Sequence, residues 1–454
     1  MVKAFTGSEE VYGWISAFIN LERGIGGSPR EHFKLDRMAA LAKIAAHPEA
    51  CAPVIHLAGS KGKGSAAAMI SAILSEAGIK TVRYLSPHVS CWKERIGSAG
   101  GFLEERVYVD AGNELLSVYN EFKRTGRRTG IKEPTFFELF TLYFFLCARA
   151  WDAKMMVVET GIGGRLDATN IVEPLGSVIT RIEMEHTGYL GGTLEAIARE
   201  KAGIIKRGRP VFCAVQEKAA LSPLRKKAAS LDAPFYRVDD HAQVKNICVH
   251  FDRTEFTLLL NNVCGDYSLP VAGKVYADNA ALAVLTITTL FPDMISGEII
   301  KNGLEACALP CRFEQLAADP QAPAIVADGA HTPESAALCA RTFCGLYGEE
   351  ALLLFACSRD KNAAAMAKIL AARFSRIVIT STGNSRAFDP KALYSLFLSA
   401  GKASPLPAGV KSIELIPDTA EAVKHALDLR ARTRKPLLGT GSFYLAAALR
   451  NALS

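Results

Sequence analysis

The stretch PVIHLAGSKGKGS, residues 53–65, joins a short apolar run to a glycine-rich loop, and an Ala-rich segment follows at 66–77. The apolar run predicts a buried strand, and the Ala-rich segment has strong helix propensity. Glycines let the backbone turn its N–H groups toward a phosphate, and a helix N-terminus adds positive potential. The stretch therefore predicts a phosphate-binding loop, although a glycine separates Lys63 from Ser65, unlike the strict P-loop pattern. An ordinary glycine-rich turn is the alternative.

Outward from this stretch, short apolar runs alternate with longer Ala-rich segments, which favours an α/β fold with parallel sheets. Strands are predicted at 54–58, 155–159, 177–181, 325–328, 352–356, 377–380 and 437–439. In open α/β sheets the ligand crevice lies beyond the carboxyl ends of the strands. We therefore expect the functional residues just after these runs.

A domain boundary is predicted near residues 305–312, where the sequence reads Leu309-Pro310-Cys311-Arg312 and is followed by a loop-like segment at 317–323. The expected domains are 1–307 and 308–454, the second of ordinary domain size. The stretch 243–269 has a different pattern and predicts two antiparallel strands, inserted late in the first domain.

Composition excludes several classes of protein. The 454 residues carry a formal charge of +7, too small for a histone-like polycation, and the basic clusters are scattered without interleaved aromatic residues, so we expect no nucleic-acid partner. The most apolar run, 139–148, is bounded by Glu138 and Arg149 and is too short to span a bilayer. The N-terminus lacks a signal-peptide core, and the eleven cysteines contain no Cys-x-x-Cys pair. We expect a reduced, cytoplasmic protein with no membrane contact.

A metal site is predicted at Glu159, which ends a buried apolar run and precedes the glycines of Gly-Ile-Gly-Gly, 161–164. A carboxylate at this position can hold Mg²⁺ beside a bound triphosphate. A strand-end cap or an ion-pair partner is the alternative for Glu159.

Seven longer segments, in order along the chain, resemble the folylpolyglutamate synthase/dihydrofolate synthase family, relatives of the Mur ligases. They are HLAGSKGKGS (56–65), YLSPHVSCWKERI (84–96), PTFFELFT (134–141), ETGIGGRLDATN (159–170), EHTGYLGGTLEAIAREKAGIIKRG (185–208), DGAHTPESA (328–336) and GTGSFYL (439–445). The resemblance implies a two-domain Mur-ligase-like architecture, a P-loop parallel-sheet N-terminal domain plus a smaller Rossmann-like C-terminal domain. It also implies an ATP-dependent amide ligase that joins glutamate to a pterin-linked carboxylate through an acyl phosphate.

The resemblance assigns roles to residues of this chain. Catalysis falls to Lys63, His186 and Lys201, and ATP binding to Gly59, Lys61, Gly62, Lys63, Gly64, Ser65, Asn279, Arg312, Asp328 and His331. Metal binding falls to Ser65, Ser86, Glu159, His186 and a carbamylated Lys201, which implies two Mg²⁺ sites, with a monovalent cation as a further candidate cofactor. Folate binding falls to Phe33, Lys34, Leu35, His88, Thr135, Phe136, Phe137, Leu166, Asp167 and Ala168, with at least one of the two neighbouring phenylalanines expected in the core. Substrates would be ATP, L-glutamate and folate or dihydropteroate, and the protein a monomer.

Several positions depart from the family pattern. Ser60-Lys61, Glu185, Val275-Tyr276, Cys311 and Thr332 stand where the family has other residues, and none of these changes removes a residue assigned to the metal or to phosphate. Two other functions stay open: a Mur-type ligase acting on a cell-wall peptide precursor, and an inactive nucleotide-binding homologue. Against the second stands the intact set of Lys63, Glu159, His186 and Lys201. Which glutamate is added, the first or a later one, is also open, as are the alternatives of a core position for His186 and an exposed helical position for Lys201.

Overall fold

The computed structural model describes residues 4–20, 34–129, 132–260, 263–316, 322–383, 387–402 and 410–453. Its first part contains α1 Ser8–Ser16, α2 Asp36–Ile44, β1 Val54–Ala58, α3 Lys63–Glu76, β2 Thr81–Tyr84, β3 Ile96–Ser98, β4 Gly101–Phe102, α4 Glu105–Thr129, α5 Phe136–Ala150, β5 Met155–Glu159, β6 Gly176–Ile179, α6 Thr187–Leu190, α7 Leu194–Lys201, β7 Val211–Cys213, α8 Lys218–Ser230 and β8 Phe235–Arg237.

These strands form one sheet in the order β4-β3-β2-β5-β1-β6-β7-β8. The six strands β2-β5-β1-β6-β7-β8 pair in parallel. At one edge of the sheet, β3 pairs antiparallel with β2, and β4 pairs antiparallel with β3. The central strands β1, β5 and β6 are buried along their whole length, as expected for parallel strands covered by helices on both faces. Their carboxyl ends therefore meet at one edge of the sheet.

A three-stranded antiparallel sheet follows, where the sequence predicted two strands. This middle part contains α9 Val238–His241, β9 Ala242–Val249, β10 Thr254–Leu260, β11 Val263–Leu269, α10 Lys274–Leu290 and α11 Gly297–Glu305. The predicted number was wrong because Gly265 and Asp266 interrupt the apolar alternation of β11. Phe251 lies in the turn between β9 and β10 and is 54% exposed.

The last part of the chain alternates strands and helices. It contains β12 Glu314–Gln315, β13 Ile325–Ala327, α12 Pro333–Tyr347, β14 Leu352–Phe355, α13 Ala363–Ala371, β15 Arg376–Ile379, α14 Pro390–Lys402, β16 Ser412–Leu415, α15 Thr419–Thr433, β17 Leu437–Thr440 and α16 Phe443–Asn451. The sheet order is β12-β13-β17-β14-β15-β16, and every pair except β12–β13 is parallel. The α/β class with parallel sheets is confirmed, while the predicted boundary at 307/308, between α11 and β12, stays a prediction.

The helix of the predicted phosphate loop, α3, lies inside the molecule. Every residue from Ser65 to Leu74 is buried, because α3 packs against α10 and α11 as well as against strands of the large sheet. A helix that is apolar on all sides is stable only in such a position. The same apolar cluster continues into the six-stranded sheet through Phe313 and Val326, so packed side chains connect the two parallel sheets.

No helix among the described residues has both the length and the apolar character needed to cross a membrane.

Candidate active site at the phosphate loop

The loop between β1 and α3 is clamped between two other elements. Gly59 has φ +152°, and a Cβ there would lie 1.8 Å from the hydroxyl oxygen of Thr180. Gly62 has φ +87°, and a Cβ there would lie 2.4 Å from Oδ1 of Asn279 on α10. Both positions therefore require glycine for the φ angle and for space. The N–H groups of the first turn of α3 have no intrahelical acceptor and are the natural anion-binding groups of this loop.

Lys63 and Glu159 lie together at the mouth of this loop. Nζ of Lys63 donates to the carbonyl of Gly59 at 2.9 Å and is 3.8 Å from Oε1 of Glu159. Oε2 of Glu159 accepts the backbone N–H of Ser86 at 3.1 Å. Burial raises the pKa of Glu159, and the positive charge of Lys63 opposes that rise.

Arg312 reaches this point from the six-stranded sheet. A Cβ on Gly64 would lie 3.5 Å from Nη2 of Arg312 and 3.5 Å from Oε2 of Glu159. The guanidinium of Arg312 also stacks on Phe443, 4.2 Å from the ring centroid. Side chains from both parallel sheets therefore converge on the start of α3, as the assignment of an ATP site there requires.

Asp328 and His331 follow β13 at the same edge. The carboxylate of Asp328 is buried and accepts the backbone N–H groups of Phe313 and Ala330, at 2.8 Å and 2.7 Å. His331 lies 3.4 Å from Lys61, measured from Nε2 to Nζ. Asp328 thus holds the backbone directly after Arg312, and His331 faces the phosphate loop.

Lys201 ends α7 and is buried, with 1% of its side chain exposed. Its Nζ donates to the carbonyl of Gly59 and to Oε1 of Glu185, both at 2.7 Å. Burial lowers the pKa of Lys201 to about 8, against the opposing charge of Glu185. The alternative of an exposed helical lysine is wrong for this residue. Burial also acts on Glu185, but the charges of Lys201 and Lys63 outweigh it and hold the pKa of Glu185 well below its usual range.

His186 lies beside this pair in a left-handed backbone conformation, φ +47°, at the start of α6. Burial lowers its pKa to about 4, so the imidazole is neutral at physiological pH and has a nitrogen lone pair to offer. The ring is only partly buried, which argues against the alternative of a core histidine.

The donors around Glu159 fit a magnesium ion bound with a triphosphate. Mg²⁺ beside a nucleotide takes one or two carboxylates, with phosphate oxygens and water completing an octahedron. Glu159 is a buried carboxylate, and the hydroxyls of Ser65 and Ser86 belong to the segments around it. His186, a neutral nitrogen donor, lies near Glu185 and Lys201. Within the described ranges, no three His, Cys, Asp or Glu side chains form a metal-binding group.

Two of the predicted folate residues have structural roles at the start of α5. The hydroxyl of Thr135 accepts the N–H of Glu138 at 3.3 Å and donates to its carboxylate at 2.8 Å, a capping box. Phe136 is 1% exposed and is the member of the phenylalanine pair that packs in the core. Phe137 is partly buried, and its ring lies against Gly161, where a Cβ would be 2.5 Å away.

Asp167 braces the glycine-rich loop after β5. One carboxylate oxygen accepts the N–H groups of Gly161 and Ile162, both at 3.0 Å, and the other accepts from Thr169. Ala168 is buried and Leu166 partly buried beside it. The direct folate contacts assigned to these three residues stay predictions.

The remaining predicted folate residues lie in two places. His88 is in the loop after β2, where its Nδ1 accepts from Nε of Arg95 at 2.8 Å. Lys34 and Leu35 come directly before α2, whereas Phe33 lies outside the described residues.

Sequence reasoning missed Glu94 and Arg95, which organise the loop after β2. Glu94 caps a short helix, Trp92–Arg95, three residues after Cys91, and that capping-box spacing was a signal in the sequence. Arg95 is 2% exposed and lies 5.5 Å and 5.4 Å from the ring centroids of Phe136 and Phe140. No local pattern indicates a buried arginine of this kind.

Comparisons with known proteins agree with this geometry. The Mur ligase middle domain matches residues 102–287, and the Mur ligase, glutamate ligase domain matches residues 311–443. The dihydrofolate synthase/folylpolyglutamate synthase of Bacillus subtilis is 32% identical over 86% of this chain and 89% of its own length. The folylpolyglutamate synthase of Lacticaseibacillus casei is 29% identical over 92% of this chain and 94% of its own. The structure of Mycobacterium tuberculosis folylpolyglutamate synthase complexed with ADP and AMPPCP superposes with a TM-score of 0.86, at 26% identity, over 98% of this chain and 99% of that one.

The fold, the phosphate loop and these matches define an ATP-dependent ligase of the Mur ligase superfamily. Within it, the chain belongs to the dihydrofolate synthase/folylpolyglutamate synthase family, as the sequence motifs implied.

Proposed function

We propose that this protein uses ATP to join the α-amino group of L-glutamate to the carboxylate of dihydropteroate, and of folates that already carry glutamate. The observation that carries the proposal is the convergence of Lys63, Glu159 and Arg312 on the first turn of α3. The name of the Bacillus subtilis relative, which covers both reactions, supports two acceptors.

The chemistry explains why cations and helix N–H groups converge here. A carboxylate is a poor electrophile because oxide would have to leave, whereas an acyl phosphate offers phosphate as the leaving group. Its formation brings the acceptor carboxylate against the γ-phosphate of ATP, two groups that repel each other. Lys63, Arg312 and the start of α3 offset this repulsion and stabilise charge as it moves to the β–γ bridging oxygen of ATP, which leaves with ADP.

Glu159 is proposed to hold the nucleotide-bound magnesium ion, with Ser65, Ser86 and neutral His186 as further donors. When bound, Mg²⁺ supplies charge neutralisation on the phosphate oxygens. The backbone N–H of Ser86 orients the Glu159 carboxylate from the other side. This hydrogen bond connects the loop of Ser86 and His88, proposed to face the acceptor, with the Glu159 carboxylate, proposed to bind the metal.

Lys201 is proposed to act as a carbamate. The ammonium would first lose a proton, and the neutral amine would then attack CO₂, forming an N–C bond and releasing a second proton. A cation would thereby become an anion able to hold a second Mg²⁺. A pKa of about 8 supports this reaction because an appreciable fraction of the amine is neutral near physiological pH. The new charge would lie beside Glu185, so the present ion pair would be replaced by two carboxylates that share a cation.

The Lys61–His331 contact supports a catalytic site enclosed between the two parallel sheets. Enclosure excludes the water that would hydrolyse an acyl phosphate before the amine attacks. Asn279, packed on Gly62, is proposed to lie beside the adenine.

An acceptor panel tests this function. Purified protein is incubated with ATP, Mg²⁺ and glutamate and with dihydropteroate, tetrahydrofolate or a diglutamyl folate, and product masses are measured. We expect addition of glutamate to dihydropteroate and to the reduced folate. A UDP-muramyl peptide serves as the competing acceptor. Product from it alone would favour the cell-wall ligase, and no ATP-dependent product from any acceptor would favour the inactive homologue.

We further propose that the protein is cytoplasmic and monomeric. Size-exclusion chromatography with light scattering would measure the oligomeric state.

A further inference from the structure

Arg450, near the end of α16, joins parts of the molecule that lie far apart in the sequence. Its Nε is 3.1 Å from Oε1 of Glu314 on β12, and its Nη1 is 4.0 Å from Oε1 of Glu94 and 3.4 Å from Oγ of Ser90. One guanidinium thus lies between a carboxylate of the six-stranded sheet and a carboxylate of the loop after β2.

Glu94 determines the shape of that loop. Its carboxylate accepts the backbone N–H groups of Val89, Ser90 and Cys91, at 2.6 Å, 3.1 Å and 3.2 Å. Hydrogen bonds to a charged acceptor are stronger than those between neutral groups. A group that fixes Glu94 therefore also fixes the backbone from Val89 to Cys91, directly after His88.

Glu314 determines the position of the segment before Arg312. Its other carboxylate oxygen accepts the backbone N–H of Cys311 at 2.8 Å. Cys311 is held in the left-handed region, φ +51°, directly before Arg312. A group that fixes Glu314 therefore also restrains the backbone from which the Arg312 side chain extends.

Two further contacts link the same elements. Phe443, on which Arg312 stacks, is seven residues before Arg450 on α16, so both side chains lie on one face of that helix. Val89, from the loop after β2, packs against the apolar cluster that contains Cys311 and Leu445. The loop after β2 and the Arg312 segment are therefore both placed against α16.

We propose that Arg450 is a positioning residue: by bridging Glu94 and Glu314 it sets the loop that carries Ser86 and His88 at the correct distance from Arg312. This inference rests on the proposed function, in which that loop faces the acceptor and Arg312 the phosphates. Loss of the bridge leaves each substrate its own binding groups but misaligns the two reacting groups. Misplacement of this kind lowers the rate of the chemical step more than it weakens binding.

The experiment compares Arg450→Met and Arg450→Lys with the unmodified protein in steady-state ligation, with melting temperatures measured alongside. We expect Arg450→Met to lower kcat by about tenfold to a hundredfold, with both KM values changed by less than about threefold. Arg450→Lys, which keeps the charge, should restore part of kcat. Arg432→Met is the matched control, because Arg432 lies exposed on the neighbouring helix α15, and it should leave kcat unchanged.

A double-mutant cycle isolates the bridge. Glu314→Gln alone should lower kcat, and combined with Arg450→Met it should lower kcat no further than the worse single variant, because both remove one interaction. Three outcomes would each overturn the positioning role. The double variant could lose kcat by the product of the two single losses, Arg450→Met could keep the kcat of the unmodified protein, or Arg450→Lys could fail to restore any of the lost kcat. Absence of product with the unmodified protein would instead overturn the proposed function.

Discussion

Nζ of Lys61 lies 3.4 Å from Nε2 of His331, although 270 residues separate the two in the sequence. The other ring nitrogen of His331, Nδ1, is 2.7 Å from the carbonyl of Gly329 and must carry the proton, because a carbonyl only accepts. Burial lowers the pKa of His331 well below its usual value, so the ring is neutral. Nε2 therefore accepts from Lys61, and the lysine is the charged member of the pair. Both residues are assigned to ATP binding, and we expect Lys61 to supply the positive charge that faces a phosphate.

Replacing Lys61 by Asn should weaken ATP binding by about tenfold, equivalent to about 1.4 kcal/mol. The charge is mostly buried at the phosphate loop, where burial lowers the pKa of Lys61 to about 8. Calorimetry with a non-hydrolysable ATP analogue would measure the effect. Lys154→Asn, which removes a lysine with 61% of its side chain exposed, is the control. Equal affinity of Lys61→Asn and the unmodified protein would contradict the assignment.

Replacing Lys201 by Ala should lower kcat by about a hundredfold or more while ATP affinity changes little. The variant removes the group proposed to hold the second metal ion and leaves the Glu185 carboxylate without its ion-pair partner. Lys201→Met, of similar volume, separates loss of charge from a cavity. Steady-state kinetics and equilibrium ATP binding, measured on the same preparations, would show whether kcat falls while ATP affinity is kept. An unchanged kcat would rule out the carbamate.

Replacing Glu159 by Gln should abolish Mg²⁺-dependent ligation, a loss of about a hundredfold or more, with the fold intact. The amide keeps the shape of the side chain but loses the charge that faces Lys63. Activity is measured across a Mg²⁺ titration beside circular dichroism. Glu173→Gln, at a carboxylate with 75% of its side chain exposed, should behave as the unmodified protein. Normal Mg²⁺ dependence in Glu159→Gln would place the metal elsewhere.

The buried His56 should make the protein less stable in acid. Burial lowers its pKa to about 3, with Lys206 adding to the effect, whereas an exposed histidine titrates near about 6.5. Between these values the unfolded chain binds a proton that the folded chain does not. Stability therefore falls as the pH drops through this window, by about 1.4 kcal/mol per pH unit from this residue.

His56→Gln tests this because a glutamine does not titrate and can still reach the Thr169 hydroxyl, which lies 2.8 Å from Nε2 of His56. Urea unfolding between about pH 6 and pH 4 should show a shallower loss of stability in the variant. His47→Gln, at a side chain that is 59% exposed, should keep the slope of the unmodified protein. Parallel slopes for His56→Gln and the unmodified protein would contradict the prediction.

Local sequence patterns predicted the central strands of the large sheet correctly, but they missed one strand of the antiparallel sheet. β1 and β5 begin and end where the apolar runs predicted, because both strands are buried on both faces and bounded by loop residues. β11 was missed because Gly265 and Asp266 interrupt its apolar alternation, whereas β10, which also has one buried face, alternates regularly.

The site divides in the same way. Glu159 ends β5 and Lys63 begins α3 after a glycine-rich loop, so both could be located from the local sequence pattern. The contacts of Arg450, Glu94 and Lys61 depend on packing between distant segments, which no window of sequence contains. The local sequence indicates the capping role of Thr135, because Glu138 follows three residues later. The family resemblance assigned Thr135 to folate binding instead.

The position of β17 governs when the chain can finish folding during synthesis. This strand, Leu437–Thr440, lies between β13 and β14 in the six-stranded sheet, although it is the last of them in the sequence. Until β17 leaves the ribosome, the edges of β13 and β14 that pair with it have no hydrogen-bonding partner, and such unpaired edges favour aggregation. A nascent chain can therefore complete the large sheet early, but it gains the partner for its phosphate loop only after β17 has been synthesised.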